Sequence, residues 1–217
     1  MAYLHPFLRV IAGGTLFGTE QFAIGINLIN PGQTEHYSAG QDGVDADVVT
    51  ALSTFWAAAS ISSDAHLTYV KMNEISVDGK YFDQENSWRQ DLVTAVPGGA
   101  GNVHLPAQIA MAVTLATSAA RGLAHKGRFY LPVPAIQADT SGRMTAAFIA
   151  SQMTLVTTLL NSINTAMDVW RVGVVSNVRG GGERPVINAR IGRVYDTIRS
   201  RRNALVEDYT DGATLDI

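Results

Sequence analysis

The sequence predicts a mainly β domain with two inserted amphipathic helices, arranged as an antiparallel β-sandwich whose narrower form is a single jelly roll. Three observations lead there. Phe22, Ile24, Ile26 and Leu28 alternate with small or polar residues, the period of a half-buried strand. Asp78-Gly79 sits between β-branched and aromatic residues, the strongest short hairpin signal because both turn positions need positive φ. Two helical stripes interrupt the strands without a repeating βαβ rhythm, which disfavours a doubly wound sheet.

In order along the chain, a first strand covers 8–12, punctuated by Gly13-Gly14, and a second covers 22–28, ended by Asn30-Pro31-Gly32. Residues 31–43 read as a loop. Asp45 or Asp47 caps a helix running to about Ser60, with Val48, Leu52, Phe55, Trp56 and Ala59 as its apolar stripe. Ser62-Ser63-Asp64 breaks it. A strand over 66–77 enters the Asp78-Gly79 turn, with Lys80-Tyr81-Phe82 beyond. Residues 83–104 are polar and then Gly-rich, and read as an exposed excursion.

The apolar run 108–117 and the segment 127–131, stopped by Pro132 and Pro134, form a second hairpin-type pair. Asp139-Thr140-Ser141 caps the second helix, 143–164, with Met144, Phe148, Ile149, Gln152, Leu155, Val156, Leu159 and Ile163 as its stripe. A buried strand over 170–175, a Gly-rich turn at 179–183 and a strand over 186–195 follow. A basic segment and an acidic tail close the chain. The order is ββαββββαββ, eight strands in one domain of 217 residues; 190–217 is a terminal segment suited to contacting neighbours.

Composition narrows the function classes. There is no cysteine, which removes disulfides, thiolate metal sites and thiol nucleophiles. The five histidines (5, 36, 66, 104, 125) are far apart in sequence. No zinc-protease, nucleophile-elbow, phosphate-loop or dinucleotide pattern appears. Asp42, Asp45 and Asp47 lack the spacing of a calcium loop, and capping explains them. No catalytic residue, cofactor or metal is therefore expected. Apolar runs stop short of eighteen residues, so no membrane partner is expected. Hydrophobic residues make up 47% and charged ones 16%; so little charge suggests apolar surface that an assembly buries.

The unusual feature is basic and terminal. Arg190, Arg193, Arg199, Arg201 and Arg202 lie within thirteen residues against one acid, Asp196, leaving −7 on the rest of a chain whose net charge is −3. Arginine outnumbers lysine 13 to 3, and its planar fork suits interface ion pairs and phosphates. The arginines alternate with Ile191, Val194, Ile198, Leu205 and Val206 and precede Glu207-Asp208. That mix favours pairing with acids at a subunit interface; nucleic-acid contact is the second reading.

The run Arg190-Ile-Gly-Arg-Val-Tyr-Asp-Thr-Ile-Arg-Ser-Arg-Arg-Asn-Ala-Leu-Val-Glu207 resembles the end of virion structural proteins of small, mostly metagenomic viruses. So do Leu67-Thr-Tyr-Val-Lys-Met-Asn-Glu-Ile-Ser-Val-Asp-Gly-Lys-Tyr81, Leu105-Pro-Ala-Gln-Ile-Ala-Met-Ala-Val-Thr-Leu115 and Gly127-Arg-Phe-Tyr-Leu-Pro132. The resemblance implies a self-assembling coat protein of the virion, partnered by its own copies and by viral genomic nucleic acid through the C-terminal arginines. A phage tail component is the alternative. An enzyme built from scattered residues such as His104 and His125 is a third. Against the coat reading, the N-terminal arm has only Arg9 as a base.

Overall fold

A computed structural model of the chain describes residues 7–16, 18, 20–29, 44–75, 82–99, 109–116, 126–132, 146–167, 170–174, 184–185, 188–195, 205–208 and 213–214. The described elements are, in order, β1 (Phe7–Leu16), β2 (Glu20–Ile29), α1 (Val44–Ala58), β3 (Ala65–Ile75), β4 (Phe82–Pro97), β5 (Ile109–Ala116), β6 (Lys126–Pro132), α2 (Ala146–Ala166), β7 (Arg171–Val174), β8 (Arg184–Pro185), β9 (Asn188–Tyr195), β10 (Leu205–Asp208) and β11 (Ala213–Thr214). The fold is mostly β with two helices, as the sequence predicts. Every strand pairing is antiparallel.

Six strands form one sheet in the order β4-β3-β1-β2-β7-β8. Five form the other: β10-β9-β5-β6, with β11 also pairing β9. In the first sheet Leu8, Val10, Ala12, Ile24, Ile26, Leu28, Leu67, Val70 and Met72 are buried, while Arg9, Ala23 and Arg89 on the other face are exposed. Strand side chains alternate between faces, so one face closes on the core and the other is open. Val113, Leu115, Phe129, Leu131, Ala189 and Ile191 bring the second sheet into the same core, with β2 beside β6.

Helix α1 packs on α2 and against β3 and β4; α2 also lies against β7 and β9. The predicted stripe of α1 is buried at every position. In α2, Phe148, Gln152, Val156, Leu159 and Ile163 are buried, with Ile149 and Leu155 half-buried. By length and composition α2 is apolar enough to cross a membrane, but here those residues are part of the shared core. Asp45 and Asp47 fall in the first turn of α1, not before it, where negative charge complements the helix dipole. The basic counterpart for α2 comes from the next strand: Arg171 Nη1 donates to the carbonyls of Asn164 (3.2 Å) and Trp170 (3.0 Å). The Asn164 Oδ1 accepts from the Val172 amide at 2.7 Å, tying helix end to strand start.

The structure corrects the sequence reading in three places. Gly13 and Gly14 lie inside β1, which continues to Leu16. A side chain at Gly14 would meet the backbone of His66, and the register of β1 against β3 shifts at this point. These glycines permit close approach of strands and do not end one. Second, 82–97 is a long edge strand, not an excursion. Its pairing with β3 shifts register twice, and such bulges blur the period-2 pattern that sequence reading depends on. Third, the acidic tail is not simply appended. It returns as β10 and β11 along one edge of β9; with the short β8 these raise eight expected strands to eleven described ones.

Two predicted hairpins are present as antiparallel pairs, β3 with β4 and β5 with β6. The Asp78-Gly79 turn, the Asp139-Thr140-Ser141 cap with Arg143 and Met144, and the turn at 179–183 lie outside the described residues.

Candidate functional site

The five arginines do not form one cluster. Arg199, Arg201 and Arg202 lie outside the described residues. Arg190 and Arg193 are both on β9, three positions apart, and the β5–β9 register runs unbroken from Asn188 to Tyr195. An odd separation in an unbroken strand places two residues on opposite faces. Arg193 shares the face of buried Ala189 and Ile191; Arg190 takes the other.

Each position has its own neighbours. Arg193 is opposite Glu207 on one side and Met111 on the other. Opposite charges directly across an antiparallel pair stabilise it modestly, by about 0.2–1 kcal/mol. An acid of the chain's own tail therefore stands where the sequence reading looked for acids on the body or on a neighbouring subunit. Arg190 is in a row with Thr114 and Arg128, and the next row of that face is Asn188, Ala116 and Lys126. Register thus brings the positions of Lys126, Arg128 and Arg190 together in neighbouring rows of β6, β5 and β9. Sequence reading missed Lys126 and Arg128, because only strand pairing brings them beside Arg190.

The helical layer has the contrary character. No charged residue occurs anywhere in α2, and Ala46, Asp47, Thr50, Thr54, Ala57 and Ala58 are the exposed positions among the described side chains of α1. Three of the exposed threonines bond back to their own helix: Thr50 donates to the Ala46 carbonyl (2.9 Å), Thr154 to Ala150 (3.1 Å) and Thr158 to Thr154 (2.9 Å). A threonine bonded to its own helix four residues back has its hydroxyl satisfied locally. Between the helices runs an open groove of about 720 Å³, lined by Asp47, Thr54, Phe55, Thr158, Asn161 and Thr165 among others. Asn161 Oδ1 and Thr157 Oγ1 are buried without hydrogen-bond partners.

Elements of catalysis do not gather among the described residues. No group of three His, Asp or Glu side chains comes together there. His66 lies on β3 with Nδ1 3.3 Å from the Asp64 carbonyl oxygen; His104 and His125 lie outside the described residues.

No protein-family profile matches the chain, and neither a curated protein nor a solved structure matches it.

Proposed function

We propose that this is a virion structural protein whose copies assemble into a shell, with the face of α1 and α2 as a principal contact between them. The observation that carries the reading is the absence of charge on α2 combined with the locally bonded threonines of both helices. A helix face that stays in water ordinarily carries charged residues. On α2 a face of alanine methyls and locally bonded threonines loses little hydration when another protein covers it, since no ion of that helix must be desolvated; Asp47, at the start of α1, is the exposed charge beside it. The segments that carry the resemblance to virion proteins fall on β3, β5, β6, β9 and β10, strands drawn from both sheets.

The finer architecture we favour is a sandwich of the two sheets. Consecutive hairpins β1–β2, β3–β4 and β5–β6 build much of both sheets, which suits a sandwich better than the paired Greek keys of a single jelly roll. The chemistry of such a protein lies in its surfaces, and we assign it no catalytic role.

Negative-stain imaging and light scattering of the purified chain test the proposal. Closed particles of uniform size are the expected result. Rings or tubes would transfer the reading to a tail component, and a chain that stays monomeric across salt conditions would overturn it.

A further inference from the structure

The face of the six-stranded sheet turned away from the core carries a basic surface. In register, Arg9 of β1 lies between Asn27 of β2 and Asn73 of β3, and Lys71 of β3 lies between Ile11 and Arg89. All are on the face opposite buried Leu8, Val10, Val70 and Met72.

Two glycines keep this surface low. A Cβ at Gly25 would come within 2.9 Å of Arg9 Nε, so the guanidinium lies across that glycine. A Cβ at Gly13 would collide with the Tyr69 ring, so the ring lies across Gly13. On the ring rests Arg89, its guanidinium carbon 4.2 Å from the centroid. Such stacking fixes the plane of an arginine. Asp91 holds it further, accepting from Arg89 Nε at 3.0 Å, and that hydrogen bond raises the Arg89 pKa.

Among the described side chains, charge on the face is unbalanced. Lys71 and Arg89 oppose each other directly, an arrangement that is unfavourable in isolation. Asp91 is the one acid among the described side chains on this face, and Arg89 engages it. Neither Arg9 nor Lys71 has an ion pair with a described residue. Beside Arg9, Asn73 is only 6% exposed, and its Nδ2 has no hydrogen-bond partner. Two cations with no acid of their own among the described residues call for an anion with several acceptor oxygens. A phosphate supplies them.

We propose that this face binds single-stranded nucleic acid. Arg9 and Lys71 take the phosphate backbone, and the guanidinium plane of Arg89, supported by Tyr69, stacks on a base. The plane decides between nucleic acid and an acidic protein segment: carboxylates need the cations but have no use for a half-exposed, aromatic-backed platform. Single-strand binders combine a basic track with stacking surfaces. The inference concerns one chain and does not depend on shell formation.

The test is fluorescence anisotropy of a labelled thirty-nucleotide oligo-dT with the full chain, titrated over a salt series. Binding that weakens with salt is expected. Arg9→Gln combined with Lys71→Gln should lower affinity about tenfold or more at low salt and flatten the log–log salt slope by about 1.4, the loss of two phosphate contacts on a single strand. Arg89→Lys, which keeps the charge and loses the plane, should weaken binding at least about fivefold with the slope unchanged. Circular dichroism and thermal melting establish that each variant is folded. No binding by the wild-type chain, or wild-type affinity in the double variant, would overturn the proposal. Displacement of the oligonucleotide by poly-glutamate of matched charge at equal concentration would also overturn it, in favour of an acidic protein partner. If only the Arg199→Ala, Arg201→Ala, Arg202→Ala variant loses binding, the surface lies elsewhere.

Discussion

The side chain of Gln152, in the middle of α2, closes a two-way hydrogen bond with Ser60 beyond the end of α1: Oε1 accepts from the Ser60 amide at 3.1 Å, and Nε2 donates to Ser60 Oγ at 3.3 Å. Ninety-two residues separate the partners. Gln152 is 2% exposed, so both ends of the amide would be left unsatisfied without Ser60. Its place in an otherwise apolar stripe is thereby explained: it fixes how α2 sits against the chain that leaves α1.

Gln152→Ala should destabilise the fold by about 2–3 kcal/mol, since it leaves the Ser60 amide unpaired and opens a cavity. Gln152→Met, close in volume but without the hydrogen bonds, should lose less, by about 1–2 kcal/mol. Urea unfolding of the two variants beside the parent separates the packing and hydrogen-bond contributions.

Gly14 and Gly18 should respond differently to alanine. At Gly14 the new methyl meets the His66 backbone, and β1 and β3 must separate at their register shift; a loss of about 2 kcal/mol or more is expected. At Gly18, φ is +75° and nothing lies within 4 Å of the added carbon, so only backbone strain of about 1 kcal/mol applies. Equal losses at the two positions, measured by thermal melting, would contradict this account.

Charge placed on the helical layer should separate folding from assembly. Thr154 and Thr158 are exposed, so Thr154→Lys and Thr158→Glu should change monomer stability by no more than about 0.5 kcal/mol. Particle formation should fall sharply, because each buried copy of the interface would then hold an unpaired ion. Sedimentation of the variants reads the assembly, and their melting curves read the fold. Normal particles from both variants would remove α1 and α2 from the interface.

The returning tail can be tested at Arg193 and Glu207. Their direct opposition across β9 and β10 calls for a coupling of about 0.2–1 kcal/mol in a double-mutant cycle with alanine. Deleting 205–217 should cost more than that coupling, because it uncovers the edge of β9 and leaves a row of backbone groups free to pair with another chain. Salt-insensitive aggregation of the truncated chain, followed by light scattering, is the expected mark of that exposed edge.

Much of the fold was legible because its rules are local. The stripe Val48, Leu52, Phe55, Trp56 and Ala59 forms one face of any helix made from it, and each of those residues is buried. The alternation in β2 likewise places Ile24, Ile26 and Leu28 in the core. Strand β4 escaped notice because Trp88, Leu92 and Val96, which pack against the core, are spaced by four, with exposed Gln90 and Thr94 at the positions between them, so the alternation of apolar residues is broken. In the terminal segment, sequence proximity made one cluster of arginines that an odd spacing on β9 divides between two faces.

The sequence by itself determined a mostly β chain with two helices, the apolar stripe of the first, and the excess of arginine. Periodicity and composition suffice for these, since they depend on residues a few positions apart. Only the tertiary structure decided that Glu207 stands opposite Arg193, that Arg128 shares Arg190's row with Lys126 in the next, and that Arg9, Lys71 and Arg89 share one face. The physical reason is register: antiparallel pairing joins residues distant in the chain, and a shift of one position sends every side chain to the other face.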